Sequence, residues 1–353
     1  MKAAKVISLL LSIFMIFSSV GCDLKKSEEP ELQAKSYYDC FDTVSVVFSY
    51  CGDEAETFEK NCGIVSDILT FYHRQFDIYY EYSGINNLMT VNKNAGISPV
   101  EVAPELIDFL LYAKDLYTMT SGKTNIAIGA VTKLWHDARE DGMDDPENAY
   151  IPSAEALDAA GVHCDINNLI IDREASTVFI TDKDMQLDVG AVGKGYATEK
   201  AAQALIKEGV SSYVLNIGGN IRAIGTKVNG EGWITGITNP DKQSDETFVR
   251  RVVIKDTSLV TSGDYERYYT VNGEKYHHII DPETKMPAQY FSSISIFTED
   301  SALADALSTA LFCLSYEDGL KLIESIGNVD ALWVYRDGTV KMTDGIVLYE
   351  NDT

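Results

Sequence analysis

The chain has 353 residues, 45% hydrophobic and 24% charged, which is ordinary for a globular protein with one large or two medium domains. Its formal net charge of -25 excludes nucleic acid as a partner, because phosphates need a surface rich in lysine and arginine. The same charge opposes any polyanionic ligand. At an effective dielectric of about 20, like charges about 4 Å apart repel by roughly 4 kcal/mol, so such a ligand needs local cations or a metal ion.

Residues 1–21 read as a leader. Lys2 and Lys5 precede an apolar run from Val6 to Phe17, the length of a signal-peptide core and too short to span a bilayer. The run leads to "SSVGC", which resembles the lipobox of bacterial lipoproteins, with Ser19 where those motifs usually carry Leu. Cys22 is then the lipidated residue, and the expected location is the extracytoplasmic face of the cell membrane on a lipid anchor. Residues 22–36 are polar and charged, a tether, and 37–353 form the folded body. Cys40, Cys51, Cys62, Cys164 and Cys313 contain no CxxC, so no zinc site is expected and at most one or two disulfides.

A strand opens the body over 40–50. Helices are expected over "DEAETFEKNCGIVSDILTFYHRQFD" and "APELIDFLLYAKDLYTMTSGKTN", the second opened by Pro104 and closed by Gly122. An acidic loop precedes a short helix from Ser153. Two short strands lead into a glycine-rich loop, and "KGYATEKAAQALIKEG" is a helix ending at Gly209. Strands follow, with a hairpin turn at "VNGE", then two helices over 299–327 and a hairpin at Asp337-Gly338. Helices and strands intermix without regular βαβ alternation. The expected fold is one compact body of mixed α/β, or α+β, class.

Two stretches carry chemistry. "LDVGAVGKGYA" (187–197) is not a phosphate loop of the GxxxxGK[ST] kind, since Asp188 stands at the required glycine and Gly195 at the required hydroxyl; Thr198 breaks a GxGxxG begun at Gly193. In "SALADALSTALFCL", Leu303, Leu307, Leu311 and Leu314 form one stripe, while Asp305 and Thr309, an i,i+4 pair with Ser308 beside them, stack on another face. Such hard oxygens suit Mg²⁺; a solvated helix face is the other reading, and the helix alone favours it. "VTSGDYERYY" and "YHHIIDPETKMP" add Ser262, Asp264, His277, His278 and Asp281.

Taken in order, "LDVGAVGKGYATEKAAQAL", "VLNIGGNIRAIG", "VTSGDYERYY", "YHHIIDPETKMPA" and "ADALSTALF" resemble successive blocks of the ApbE family, the FAD:protein FMN transferases, with "FDTVSVV" and "TNIAIGAVTKLW" upstream. The resemblance runs from about Cys40 to Trp333. It implies a fold related to the tunnelling fold, with FAD as substrate and Mg²⁺ as cofactor. The implied reaction transfers FMN to a Thr or Ser of an acceptor flavoprotein through a phosphoester, releasing AMP. It also implies that Asp188, Lys194, Ile279, Tyr79, Phe41 and the stretch Lys123, Thr124, Asn125 contact FAD. The Ala191 carbonyl, Asp305, Thr309 and, more weakly, Ser308 are the implied metal ligands. Asn125 stands where many members have Asp, and "CFDT" replaces a more usual Met-containing form. His278 and Asp264 are candidate bases by neighbourhood. A Mg²⁺-dependent FAD pyrophosphatase and a non-catalytic flavin-binding lipoprotein are the alternatives.

Overall fold

Strand Ser45–Ser49 (β2) alternates, with Ser45, Val47 and Ser49 buried, and pairs antiparallel with Gln33–Tyr37 (β1). The structure, a computed structural model, describes residues 31–349; the leader over 1–21 and the lipidation site Cys22 lie outside the described residues. Residues 33–36, expected as the end of the tether, belong instead to β1. This edge strand is tied to the next helix by the Tyr37 hydroxyl, which donates to the Cys62 carbonyl at 2.7 Å.

Helix Ala55–Phe76 (α1) follows from its spacing: Phe58, Cys62, Val65, Leu69, Tyr72 and Phe76 recur every three or four residues, and all are buried. Asp77 ends it and turns the chain. Its carboxylate accepts from the N–H of Tyr79 and Tyr80 at 2.7 and 2.9 Å and from the Tyr82 hydroxyl at 2.7 Å. Leu88–Lys93 (α2), Val100–Glu101 (β3) and Pro104–Met119 (α3) follow, α3 opening on Pro104 where no N–H is needed. Gly129–Asp144 (α4) is an element the sequence analysis does not give. Its charged second half reads as loop, yet Val131, Trp135 and Ala138 are buried at helical spacing. Ala154–Gly161 (α5) is capped by Ser153, whose hydroxyl accepts from the Ala156 N–H.

Leu169–Asp172 (β4) and Thr177–Ile180 (β5) join β3 in a small sheet of order β3-β5-β4. Gly193–Lys207 (α6) leads into Ser212–Ile217 (β6) and Asn220–Gly225 (β7), which turn at Gly218 and Gly219, both at positive φ. Trp233–Thr238 (β8) and Phe248–Ile254 (β9) form a hairpin, and Ser258–Gly263 (β10) returns to the main sheet. Tyr268–Val271 (β11) and Glu274–His277 (β12) turn through Asn272 and Gly273, at φ of 50° and 86°, as "VNGE" predicts. Phe291–Thr298 (β13), Ser301–Phe312 (α7), Tyr316–Ile326 (α8), Asp330–Tyr335 (β14) and Val340–Met342 (β15) complete the described chain.

The main sheet has eight strands in the order β1-β2-β6-β7-β10-β13-β14-β15. Every pairing in it is antiparallel, so the body is α+β. Both faces of its centre are covered. Along β14, Ala331 and Trp333 pack with α7 and α8, while Leu332 and Val334 pack with β8 and β9. Helices α1, α3 and α6 build a further core around Phe76, Phe109 and Tyr196, with the two phenyl centroids 4.2 Å apart. Cys40, Cys51, Cys62, Cys164 and Cys313 are all free.

Helix α7 lies between the sheet and α6, which is why its polar face is not solvated. The contact with α6 is closest at Gly195, where a Cβ would stand 2.3 Å from the Ser301 carbonyl oxygen and 2.5 Å from the Asp305 Cβ. Gly193 is similarly faced by the Phe76 ring at 3.0 Å. These two glycines of the 187–197 stretch are therefore fixed by packing. Gly195→Ala should destabilise the protein by about 3 kcal/mol through overpacking, read as a lower denaturant midpoint; an unchanged midpoint would show the helices to be further apart.

Candidate active site

Asp305 is buried on α7, where its Oδ2 accepts a 2.8 Å hydrogen bond from the backbone N–H of Gly195 in the first turn of α6. Gly195 is the third residue of α6, and the N–H groups of a helix's first turn have no partner within the helix, so Asp305 satisfies one of them from outside. Among the described residues no backbone donor reaches the Ala191 oxygen, two residues before α6 begins. Thr309, one turn along α7 and half-buried, likewise has a hydroxyl free of protein partners among the described residues. Asp305 and Thr309 share one face of α7, and Ala191 lies just before the helical turn that bonds Asp305. This donor set fits Mg²⁺, which prefers hard oxygens.

Lys194, beside Gly195, reaches the Asn220 Oδ1 at 3.2 Å and the Gly218 carbonyl at 3.4 Å. Burial lowers its pKa and raises that of Asp305, and the attraction between the two works against both shifts. The second glycine-dense turn therefore serves Lys194, by presenting a carbonyl and an amide oxygen to its ammonium.

Ser308 is turned elsewhere. Its hydroxyl donates to the Asp305 backbone carbonyl at 2.8 Å and meets the Ser262 hydroxyl at 2.7 Å, fully buried, so it does not belong to the donor set. The stretch before α4 is also engaged internally. Thr124 donates to the Ala306 carbonyl of α7 at 2.7 Å. Asn125 uses its oxygen on the Ala127 N–H at 2.9 Å and its amide on the Cys164 carbonyl at 3.0 Å. Each end of the Asn125 side chain thus has one partner within the chain and keeps one amide hydrogen and one oxygen lone pair. Lys123 sits in a nearly closed ion pair with Asp281 at 2.8 Å, with exposed Glu283 at 3.0 Å.

Asp188, half-buried, accepts from the Gly190 N–H at 2.9 Å and from the Thr132 hydroxyl at 2.7 Å. Thr132, His136 and Arg139 fall at i, i+4 and i+7 of α4, on the face whose Thr132 bonds Asp188. Tyr79, exposed, packs on the His136 ring at 5.6 Å. Phe41 is edge-on to His73 at 5.6 Å and at a positive φ of 58°. The sequence analysis misses the α4 side because it does not recognise the helix that sets this spacing.

The adjacent histidines have separate tasks. His277 is buried, with Nε2–H donating to the Ala288 carbonyl at 2.7 Å and Nδ1 accepting from the Ile279 N–H at 3.2 Å, so it is structural. Ile279, also buried, is held by this bond and by the Ala288 N–H on its carbonyl. His278 directs Nδ1–H to the Arg267 carbonyl at 3.2 Å, leaving Nε2 with its lone pair free. Crowding by protein atoms, then the Arg267 charge, hold its pKa well below the usual histidine value. Asp264 is buried against Lys275, 2.9 Å away.

Residues 45–333 match the model of the ApbE family, close to the span on which the motifs agree. A protein of Treponema pallidum named FAD:protein FMN transferase is 34% identical over 297 residues, 80% of each chain. One of Haemophilus influenzae with the same name is 27% identical over 322 residues, covering 91% of this chain and 90% of that one. The crystal structure of the ApbE protein of Thermotoga maritima superposes with a TM-score of 0.76 at 26% identity, covering 89% of this chain and 97% of that one. Flavinyl transferase ApbE of Pseudomonas stutzeri gives 0.74 at 25% identity, covering 91% and 97%. The chain belongs to the ApbE family.

The Lys123 pair yields a signed prediction. Burial would lower the Lys123 pKa, but Asp281 and Glu283 outweigh it and raise it. A raised lysine contributes stability that is complete below its unfolded value and lost as pH rises through the folded value. Asp281→Asn should therefore destabilise by about 2 kcal/mol at pH 7, the deficit relative to wild type shrinking above about pH 10.5. A deficit independent of pH in urea titrations would assign it to packing instead.

Proposed function

We propose that this protein transfers the FMN moiety of FAD to a threonine or serine hydroxyl of an acceptor flavoprotein, forming a phosphoester and releasing AMP. The relatives named FAD:protein FMN transferase support the reaction class. The observation that carries the chemistry is the Gly195–Asp305 hydrogen bond, which fixes a buried carboxylate on the turn that carries Lys194 and follows Ala191. Asp305, Thr309 and the Ala191 carbonyl would hold Mg²⁺; when bound, it supplies charge neutralisation for the pyrophosphate and polarises the attacked phosphorus.

The chain's own groups do the rest. Lys194, already shielded from water, offers a fixed positive charge to a phosphate oxygen. Asp188 and Tyr79 stand where the family resemblance places the flavin. His278 is the better placed of the two candidate bases. Its Nε2 is free, whereas Asp264 is held by Lys275. The acceptor hydroxyl gives its proton to Nε2 as the oxygen bonds to the FMN phosphorus and the bond to the AMP phosphate breaks.

We further place the protein on a membrane through a lipid on Cys22, facing an acceptor in a membrane or secreted redox system. The support is the basic, apolar and "SSVGC" sequence of the first 22 residues. Among the described residues, no helix is long and apolar enough to cross a membrane.

Asp305→Ala should lower transfer by a hundredfold or more, on the order of the loss of one transition-state charge contact. Losing one first-turn acceptor costs about 1–3 kcal/mol, short of the stability of an ordinary domain, so the fold should persist. AMP release from FAD, with the acceptor mass followed in parallel, checks this, and near-normal turnover with Mg²⁺ would sink the metal assignment. AMP without acceptor modification is the signature of the pyrophosphatase.

The environment of His278 predicts the acid limb of the pH profile. Arg267, His277 and Arg139 are the charged or titratable groups that press on it, and all of them lower its pKa. A lowered pKa keeps the base neutral as pH falls below the usual histidine value of about 6.5, so transfer should hold there and decline only at lower pH. His278→Gln should remove that limb along with most of the rate while FAD binding survives. A limb that persists in the variant would assign the base to another group.

A further inference from the structure

Asn220, the first residue of β7, is buried, and half of its side chain has no role in the site described so far. Its Oδ1 accepts from Lys194 Nζ at 3.2 Å. That contact fixes which way the amide faces, because turning it over would set its NH₂ group against an ammonium. The other end, Nδ2, has no hydrogen-bond partner among the described residues. The Asp305 carboxylate, whose charged form it favours, is not in hydrogen-bond geometry with it. A donor buried in this way is costly until an acceptor reaches it. Trp233 and Trp333 also bury an unpaired N–H, but each sits in an apolar cluster. Asn220 differs in touching the cation of the site.

The mount is rigid. Asn220 pairs with Ile217 of β6 on one side and with Val260 of β10 on the other. The turn before it is closed by the Gly218 N–H on the Val44 carbonyl and the Gly219 N–H on Asn216 Oδ1, both at 3.0 Å. Gly218, at positive φ, backs onto Thr43, whose Oγ1 would stand 2.4 Å from a Cβ. Lys194 directs two of its three N–H groups at this turn, to the Gly218 carbonyl and Asn220 Oδ1. One N–H of the lysine and both of the amide therefore stay uncommitted, side by side on a fixed support. Together they form a preorganised pair of donors for an oxygen-rich anion.

We propose that Asn220 is a second donor to the diphosphate of FAD, its Nδ2–H binding a phosphate oxygen beside the one that Lys194 takes while its Oδ1 aims the lysine. This rests on the flavin-transfer function proposed above, which gives Lys194 a phosphate oxygen. The lysine supplies charge, and the amide supplies a donor of fixed direction on a strand that cannot shift without breaking two pairings.

The test is binding, not turnover. Dissociation constants of FAD and riboflavin are measured by flavin fluorescence, with Mg²⁺ and no acceptor protein, for the full chain, Asn220→Ala and Asn220→Asp. The wild type should bind FAD more tightly than riboflavin. Asn220→Ala should weaken FAD by on the order of tenfold to a hundredfold, as for a hydrogen bond to a charged group, and leave riboflavin unchanged. Unchanged riboflavin affinity also shows that the variant is folded. Asn220→Asp keeps an oxygen for Lys194 and exchanges the NH₂ group for a second oxygen, so it should weaken FAD at least as much. A residue that served only to hold Lys194 would tolerate Asp; wild-type FAD affinity in Asn220→Asp overturns the proposal and leaves the flavin site standing. An equal loss for both flavins in Asn220→Ala makes Asn220 a structural residue and overturns it too. A wild type that binds neither flavin overturns both readings.

Discussion

The site depends on one hydrogen bond between two helices. Gly195 N–H, in the first turn of α6 and so without a partner in its own helix, donates to Asp305 of α7 at 2.8 Å. That bond needs the two helices in contact, and contact needs a residue without a Cβ at 195. It also orients a buried carboxylate that would be costly without a donor. The packing of two helices thus fixes the carboxylate on which the proposed metal centre rests.

Charge is the second constraint. A chain of net charge -25 must concentrate its cations where a phosphate-bearing ligand is to enter. Lys194, in the first turn of α6, is placed by the packing of that helix on β7 and α7. Burial of Lys194 and Asp305 as a pair keeps each from being an isolated buried charge.

Much of this was legible in the sequence, for identifiable reasons. The spacing of α1, the proline opening α3, the Ser153 cap and the "VNGE" turn are local signals, and the structure follows them. The blocks that resemble the ApbE family point to Asp305 and Lys194, which tertiary packing does bring together. What the sequence did not give is tertiary in origin. The polar face of α7 reads as solvated by spacing alone, yet it is covered by α6. Helix α4 hides behind its charged second half, so Thr132, His136 and Arg139 do not read as one face. Residues 33–36 look like tether because an edge strand paired on one side needs little apolar content. That the Asn125 side chain bridges the Ala127 N–H and the Cys164 carbonyl is likewise a tertiary fact that spacing does not show.

The central claim is that Asp305, held by the Gly195 N–H, forms a metal centre with Thr309 and the Ala191 carbonyl. Anomalous diffraction from crystals of the protein soaked with Mn²⁺, a stand-in for Mg²⁺, tests it most directly. The account predicts one strong peak among these three oxygens, with Gly195 N–H still on Asp305. A peak elsewhere, or no peak among them, would contradict it.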